Sequence, residues 1–200
     1  MRIAMHIRLI RHGMTAGNAV RRYVGITDEP LCPEGREAAE QKPKDYALGR
    51  VYVSPLRRAR ETAAILFPNA EQIVVNDLHE MDFGVFEGRS ADEMKDDPAY
   101  RAWVDDLCRG ACPGGESQEM FHARVGRAFT ETVRALESDA TFVIHGGVIM
   151  SILWQFAEPK KDFYDWVAPN LSGYEADVSI RSGAVAIEKV SASLFVRTEF

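Results

Sequence analysis

The chain has 200 residues, of which 46% are hydrophobic, and a formal net charge of −6. A chain of this length can bury one sizeable core, so a single domain over residues 1–200 is expected. The acidic balance and an isoelectric point near 5.4 disfavour a general nucleic-acid or anionic-membrane binder, because a negative field attracts neither polyanion.

Residues 3–10 are dense in apolar and β-branched types and predict a strand, after which Gly13 permits a sharp change of direction. That strand carries Arg11 and His12 to the break. Pro33 and Glu34 suit the first turn of a helix, although Gly35 weakens it. RVYVSP, residues 50–55, predicts a short second strand stopped by Pro55. Over 56–66, Ala59, Thr62, Ala63 and Leu66 fall on one helical face.

Between 88 and 115 the chain is charged, with Tyr100, Trp103 and Leu107 as a modest helical stripe. It reads as a partly helical excursion from the sheet, at about 89–115. Phe121, Val125, Phe129, Val133 and Leu136 form one apolar stripe on a long helix over 117–136. ATFVIHGG, residues 140–147, predicts a third strand, and 148–156 a shorter apolar helix. The stretches 174–180, 184–190 and 194–198 follow with short gaps and predict strands linked by hairpins. Strands alternating with helices, then closing in hairpins, predict a three-layer α/β/α sandwich around a mixed, mostly parallel sheet.

Cys32, Cys108 and Cys112 are odd in number and lack C-x-x-C spacing, so unlinked thiols are expected, with Cys108 and Cys112 sharing a helix face. The N-terminal MRIAMHIRLIR is interrupted by His6 and Arg8, unlike a signal-peptide core, and no run reaches membrane-spanning length. A reducing, cytoplasmic setting follows as the expectation.

Ligands of open α/β sheets bind beyond the carboxyl ends of the strands. Here those ends carry Arg11-His12, Ser54 followed by Arg57 and Arg58, and His145-Gly146-Gly147. Taken singly, Arg11 reads as a solvated strand end, Arg58 as a helix-surface charge, His145 as a structural histidine and Glu80 as a solvated carboxylate. If the strands are neighbours, two imidazoles and two guanidiniums converge and call for an anion.

The motifs as a set resemble the histidine phosphatase superfamily, the phosphoglycerate-mutase-like group. RHGMTAGN is similar to R-H-G-x-T-x-x-N, RRYVGITDEPLCPEG to R-x-x-G-x-x-D-x-P-L-x-x-x-G, SPLRRARETA to S-x-L-x-R-A-x-x-T-A, and LHEMDFGVFEG to L-x-E-x-x-x-G-x-x-E-G; PGGES and IHGGVI complete the series. The resemblance implies a nucleophile at His12, an acid at Glu80, and phosphate binding by Arg11, Asn18, Arg58 and His145, with Thr15, Arg22 and Gly146 as further substrate contacts. Thr15 reads equally as a cap of the following turn. Glu87 is expected to partner a backbone amide or an arginine. Met14 and Met150 depart from the residues many relatives carry, a glutamate and an arginine.

A neutral imidazole brings no negative charge to an anionic phosphorus, so His12 is expected to attack in line and form a phosphohistidine, with a backbone carbonyl near Gly13 fixing its tautomer. Glu80 is expected to protonate the leaving oxygen and then deprotonate water. No P-loop motif and no metal-ligand histidine spacing occurs, so neither cofactor nor metal is expected. His6 reads as core-edge, His122 as helix surface, Trp154 as core, and Ser54 not as a nucleophile.

The expected partner is a small-molecule phosphate ester. Short bacterial members with a P-G-G-E-S segment resemble phosphatases of α-ribazole 5'-phosphate in cobamide assembly and broad-specificity phosphatases. Two alternatives stay open: phosphoryl transfer of the phosphoglycerate-mutase type, disfavoured by the acidic 89–112 excursion, and a non-catalytic phospho-ligand or protein-binding module. Monomer and homodimer also stay open.

Overall fold

Met5, Ile7 and Leu9 alternate along Met5–Arg11 (β1) and are buried on one side, while Ile10 is buried on the other, so this strand has both faces covered. The computed structural model describes residues 4–192. Two short-range elements follow β1: a single helical turn, Ala16–Ala19 (α1), and Pro33–Glu40 (α2), whose proline stands in the first turn. Arg50–Val53 (β2) leads into Arg57–Leu66 (α3), and Glu71–Val74 (β3) follows. After Pro98–Asp105 (α4) come the long helix Gln118–Ala135 (α5), Ala140–Ile144 (β4), Gly146–Phe156 (α6), Gly173–Arg181 (β5) and Ala184–Ala192 (β6).

Among the described residues one sheet has the order β3-β2-β4-β1-β5-β6. The four strands β3, β2, β4 and β1 run parallel, and β5 and β6 join antiparallel at the far edge. All five residues of β4 are buried, as a central parallel strand requires. Phe142 and Ile144 face a core shared with Phe129 and Val133 of α5 and Val148 of α6. Val143 points the other way, with Ile10, Val51 and Val53, onto Ala59, Ala63 and Leu66 of α3. Each fully buried Val, Leu, Ile or Phe contributes roughly 1.5–3 kcal/mol over exposure. The architecture is therefore a three-layer α/β/α sandwich on a mixed, largely parallel sheet.

Ser117 caps α5, its hydroxyl accepting from the Met120 amide at 3.1 Å, an interaction typically worth about 1 kcal/mol. Some expectations are corrected. Leu107 lies beyond α4, exposed and with φ of 55°. Neither Cys108 nor Cys112 is helical, and Cys112 is buried in a loop. Trp154 is 41% exposed, because it faces outward from α6. His122 is half buried instead, stacked near Trp154 and Phe163, and its Nδ1 meets the Ser151 hydroxyl at 2.8 Å. His6 is exposed and pairs with Asp177. Strand β3 had no counterpart in the sequence reading, and the strand expected over 194–198 lies outside the described residues. Among the described residues no helix is long and apolar enough to cross a membrane.

Candidate active site

Parallel register aligns the ends of three strands. Arg11 of β1 stands beside Ile144 of β4, and Val53 of β2 beside Val143. The ladder extends one step further on each side: the His12 amide donates to the Ile144 carbonyl at 3.0 Å, and the Ser54 amide to the Val143 carbonyl at 3.2 Å. His12, Ser54 and His145 thus leave the sheet at one level, and their side chains are buried.

The Nδ1–H of His12 donates to the Gly13 carbonyl at 2.7 Å. A carbonyl can only accept, so Nδ1 holds the proton and Nε2 keeps its lone pair. That Nε2 accepts from Arg58 Nε at 3.3 Å. The same Nε lies 3.3 Å from Nδ1 of His145, whose Nε2 is 2.6 Å from the Ser54 hydroxyl. The two imidazoles meet edge-on with centroids 5.0 Å apart. Burial holds the pKa of His12 well below the usual histidine value, and the charges of Arg58 and Arg11 push it further down against the opposing pull of the Gly13 carbonyl. His145 is lowered in the same direction, first by burial and then by Arg58. Both rings are neutral near pH 7.

Arg58, read alone as a surface charge, is fully buried. Its Nη2 donates to the Gly25 carbonyl at 2.6 Å and its Nη1 to the Thr27 carbonyl at 2.7 Å. Glu87 builds that turn, accepting from the amides of Gly25 at 3.1 Å and Ile26 at 3.0 Å, from the Thr27 hydroxyl at 2.6 Å and from the Phe83 amide at 3.1 Å. Position 25 must be glycine, because a Cβ there would stand 1.8 Å from the Met81 carbonyl oxygen. Glu87 therefore holds the carbonyls that hold Arg58. Arg11 donates through Nη1 to the Ala168 carbonyl at 2.8 Å, while its buried Nε makes no hydrogen bond with the described protein.

Glu80 reaches the start of α6, where its Oε2 accepts from the Gly147 amide at 2.9 Å. A Cβ on Gly147 would meet Glu80 Oε1 at 2.5 Å, so the approach depends on glycine. Glu80 also interacts electrostatically with both Arg11 and Arg58. Its loop is gripped by Arg124 of α5, a residue the sequence reading missed. Arg124 donates to the carbonyls of Asp77 at 2.8 Å, His79 at 3.0 Å and Glu80 at 3.3 Å. It also forms a two-pronged pair with Glu116, at 2.8 and 2.7 Å. Glu116 in turn accepts from the Asp82 amide at 3.0 Å. Burial raises the Glu116 pKa, but hydrogen bonds from Arg124 and Asp82 outweigh it and leave the group below the usual glutamate value. The available signal was a guanidinium beside Val125 on the buried stripe of α5.

The structure brings His12, Arg58 and His145 into direct contact and sets Gly146 against Arg11, whose Nε would lie 3.3 Å from a Cβ at that glycine. Asn18 lies next to this group, its side-chain oxygen 3.4 Å from Asn170 Nδ2, which also donates to the His12 carbonyl at 2.9 Å. Asn170 carried no sequence signal. Thr15 is a buried cap, its hydroxyl accepting from the Asn18 amide at 3.3 Å. Arg22 donates to Glu93 at 2.9 Å on the exposed surface. Among the described residues no group of three or more His, Cys, Asp or Glu side chains is placed to hold a metal ion.

A model of the histidine phosphatase superfamily (branch 1) matches residues 7–187. Among curated relatives, the chain is 29% identical over 156 residues to the "Probable phosphoglycerate mutase GpmB" of Enterobacter sp. (strain 638), covering 74% of this chain and 73% of that protein. Among solved structures, the "putative alpha-ribazole-5'-P phosphatase" of Escherichia coli K-12 superposes with a TM-score of 0.80 at 25% identity, over 92% of this chain and 95% of that one. TTHB049 of Thermus thermophilus superposes with a TM-score of 0.67 at 30% identity, over 88% and 93% of the two chains. With this match spanning the strand ends and both histidines, the chain belongs to the histidine phosphatase superfamily, a family of phosphoric monoester hydrolases.

Proposed function

We propose that this enzyme is a metal-independent phosphomonoesterase acting through a phosphohistidine on His12. The observation that carries the reading is the fixed tautomer of His12: Nδ1–H is tied to the Gly13 carbonyl, and the unprotonated Nε2 faces Arg58.

A phosphate in this cage meets Arg58 Nε, the uncommitted Nε–H of Arg11 and the positive N-terminal end of α6. His12 Nε2 donates its lone pair to phosphorus as the bond from phosphorus to the ester oxygen breaks. The departing oxygen takes that electron pair and a proton from Glu80. The positive charge left on the ring is stabilised by the short bond to the Gly13 carbonyl. Glu80, now a carboxylate, removes a proton from water. The resulting hydroxide attacks phosphorus, and the N–P bond breaks with its pair returning to Nε2. Inorganic phosphate leaves, and both groups are restored.

The α-ribazole phosphatase name attached to a similar solved structure supports α-ribazole 5'-phosphate as the substrate. The mutase name of the curated relatives supports the rival outcome, transfer to a bound alcohol in place of water. Measuring kcat/KM side by side for α-ribazole 5'-phosphate, 3-phosphoglycerate, sugar phosphates and nucleotides, with and without a chelator, separates these readings. A preference for α-ribazole phosphate, chelator-resistant release of phosphate and an acid-labile phosphoprotein absent from His12→Ala are the expected results. Uniformly low values would overturn the cobamide assignment, and phosphate release unchanged in His12→Ala would overturn the mechanism.

A further inference from the structure

Residues 168–172, just ahead of β5, wrap the end of β1. The Arg11 amide donates to the Ser172 carbonyl at 2.8 Å, the Leu171 amide returns a bond to the Arg11 carbonyl at 3.0 Å, and Arg11 Nη1 donates to the Ala168 carbonyl at 2.8 Å. Within the segment the Ser172 amide closes a turn onto the Pro169 carbonyl at 3.2 Å, and that turn places Leu171 at φ of 57°. A leucine resists the left-handed region, and such strain persists only where the surroundings over-determine it. Here the bonds to Arg11 do so.

The same turn offers the half-buried side chain of Asn170 to two oxygens. Its Nδ2 donates to the His12 carbonyl at 2.9 Å and lies 3.4 Å from Asn18 Oδ1. A carbonyl can only accept, so the end of Asn170 that faces both oxygens is its amide nitrogen. The direction of Asn18 is fixed in the same way. The main-chain amide of Thr15, which can only donate, meets Asn18 Oδ1 at 3.4 Å, so that oxygen receives two N–H groups. Asn18 Nδ2 makes no hydrogen bond with the described residues. Asn18 thus commits its acceptor to the protein and leaves its two donors for an anion. Turning the amide over would set its NH2 against two other donors and its oxygen toward the anion. The Thr15 donor is backbone, whereas the Asn170 donor is a side chain chosen by the sequence.

We propose that Asn170 is a positioning residue of the phosphate cage: anchored on the His12 carbonyl, it holds Asn18 with Nδ2 available to a phosphoryl oxygen and bars the overturned amide, whose oxygen would repel the anion. The inference rests on the phosphomonoesterase reading, because the group that Asn18 serves is the phosphate of the ester. Asn170 acts through Asn18 and is assigned no contact with the substrate.

The test is a double-mutant cycle on the full chain, with whichever ester of the panel above is hydrolysed fastest. Asn170→Ala should lower kcat/KM by about tenfold, the scale of one neutral hydrogen bond. In an Asn18→Ala background the same change should lower it by less than about twofold, because the group it positions is already gone. If Asn170→Ala fails to fold, Asn170→Ser takes its place in the cycle: a hydroxyl has a single hydrogen and cannot serve both oxygens. The acid limb of the pH profile should stay in place in Asn170→Ala, since the Gly13 carbonyl holds the His12 tautomer. Equal losses in the two backgrounds, no loss in either, or a displaced acid limb would overturn the proposal. If no ester is hydrolysed, the catalytic reading fails, and calorimetry with inorganic phosphate still decides the role of Asn170. Affinity weakened about tenfold by Asn170→Ala, but less than about twofold in the Asn18→Ala background, supports it. Equal weakening in both, or no binding of phosphate by the wild type, overturns it.

Discussion

Ser54 Oγ lies 2.6 Å from His145 Nε2, and both side chains are fully buried. Because His145 Nδ1 accepts from Arg58, its Nε2 carries the proton and the serine oxygen receives it. A hydroxyl can also donate, so Ser54 is able to satisfy the ring in either tautomer. Ser54→Ala removes the partner of a buried ring nitrogen, which costs about 1–3 kcal/mol. Urea denaturation should show that loss together with a fall in kcat; an unchanged midpoint and kcat would remove any role for this contact.

Arg58 serves two imidazoles and three carbonyls, those of Val24, Gly25 and Thr27, through a planar fork that an ammonium cannot reproduce. Arg58→Lys is expected to lower kcat by roughly 10²–10³-fold, the scale of losing an oriented transition-state donor. Steady-state kinetics with inorganic phosphate as a competitive inhibitor should show weaker inhibition as well.

The lowered pKa of His12 fixes the direction of the pH response. In the proposed mechanism the neutral form is the nucleophile, so the acid limb of kcat/KM should fall below the ordinary histidine value of 6.5. Stability has the same sign. In the unfolded chain His12 and His145 take up protons near pH 6.5, whereas the folded chain resists until lower pH. Stability is therefore lost as pH falls from about 6.5 toward the folded pKa, by up to about 1.4 kcal/mol per pH unit for each ring. Denaturation midpoints between about pH 5 and 7 should decline accordingly, and less steeply in His145→Asn.

Breaking the Glu116–Arg124 pair leaves a mostly buried guanidinium without its counter-charge. Glu116→Ala should cost about 3–5 kcal/mol. Since Arg124 also holds the carbonyls around Glu80, kcat should drop with KM little changed. A rise in KM alone would show that the pair shapes binding and not the acid.

Gly147→Ala tests the acid from the other side. Its methyl group would stand 2.5 Å from Glu80 Oε1 and displace the carboxylate. General acid catalysis is typically worth roughly 10²–10⁴-fold, and kcat should fall within that range. Esters with good leaving groups, such as p-nitrophenyl phosphate, should be affected least.

Much of the fold could be read because each long element had a clear period: the stripe on α5, the apolar run of β4 and the hairpin spacing of β5 and β6. Strand β3 escaped notice because EQIV is short and only partly buried, so it lacks the alternation that marks a half-buried strand. The strand-end groups were recognisable only together, since Arg58 alone looks like any arginine on an amphipathic helix. Arg124 and Asn170 were illegible for a related reason. Both reach backbone carbonyls, which have no letter in a sequence, and those carbonyls come from segments about 45 and 158 residues away.

The cage has a consequence for the life of the chain. Arg58 meets partners 46 residues before it and 87 residues after it, so the anion site does not exist until the β1, β2 and β4 segments have all come together. Whatever occupies it recognises the finished chain alone. Under the proposed function, occupancy by a phosphate ester therefore shifts the balance away from unfolding by mass action.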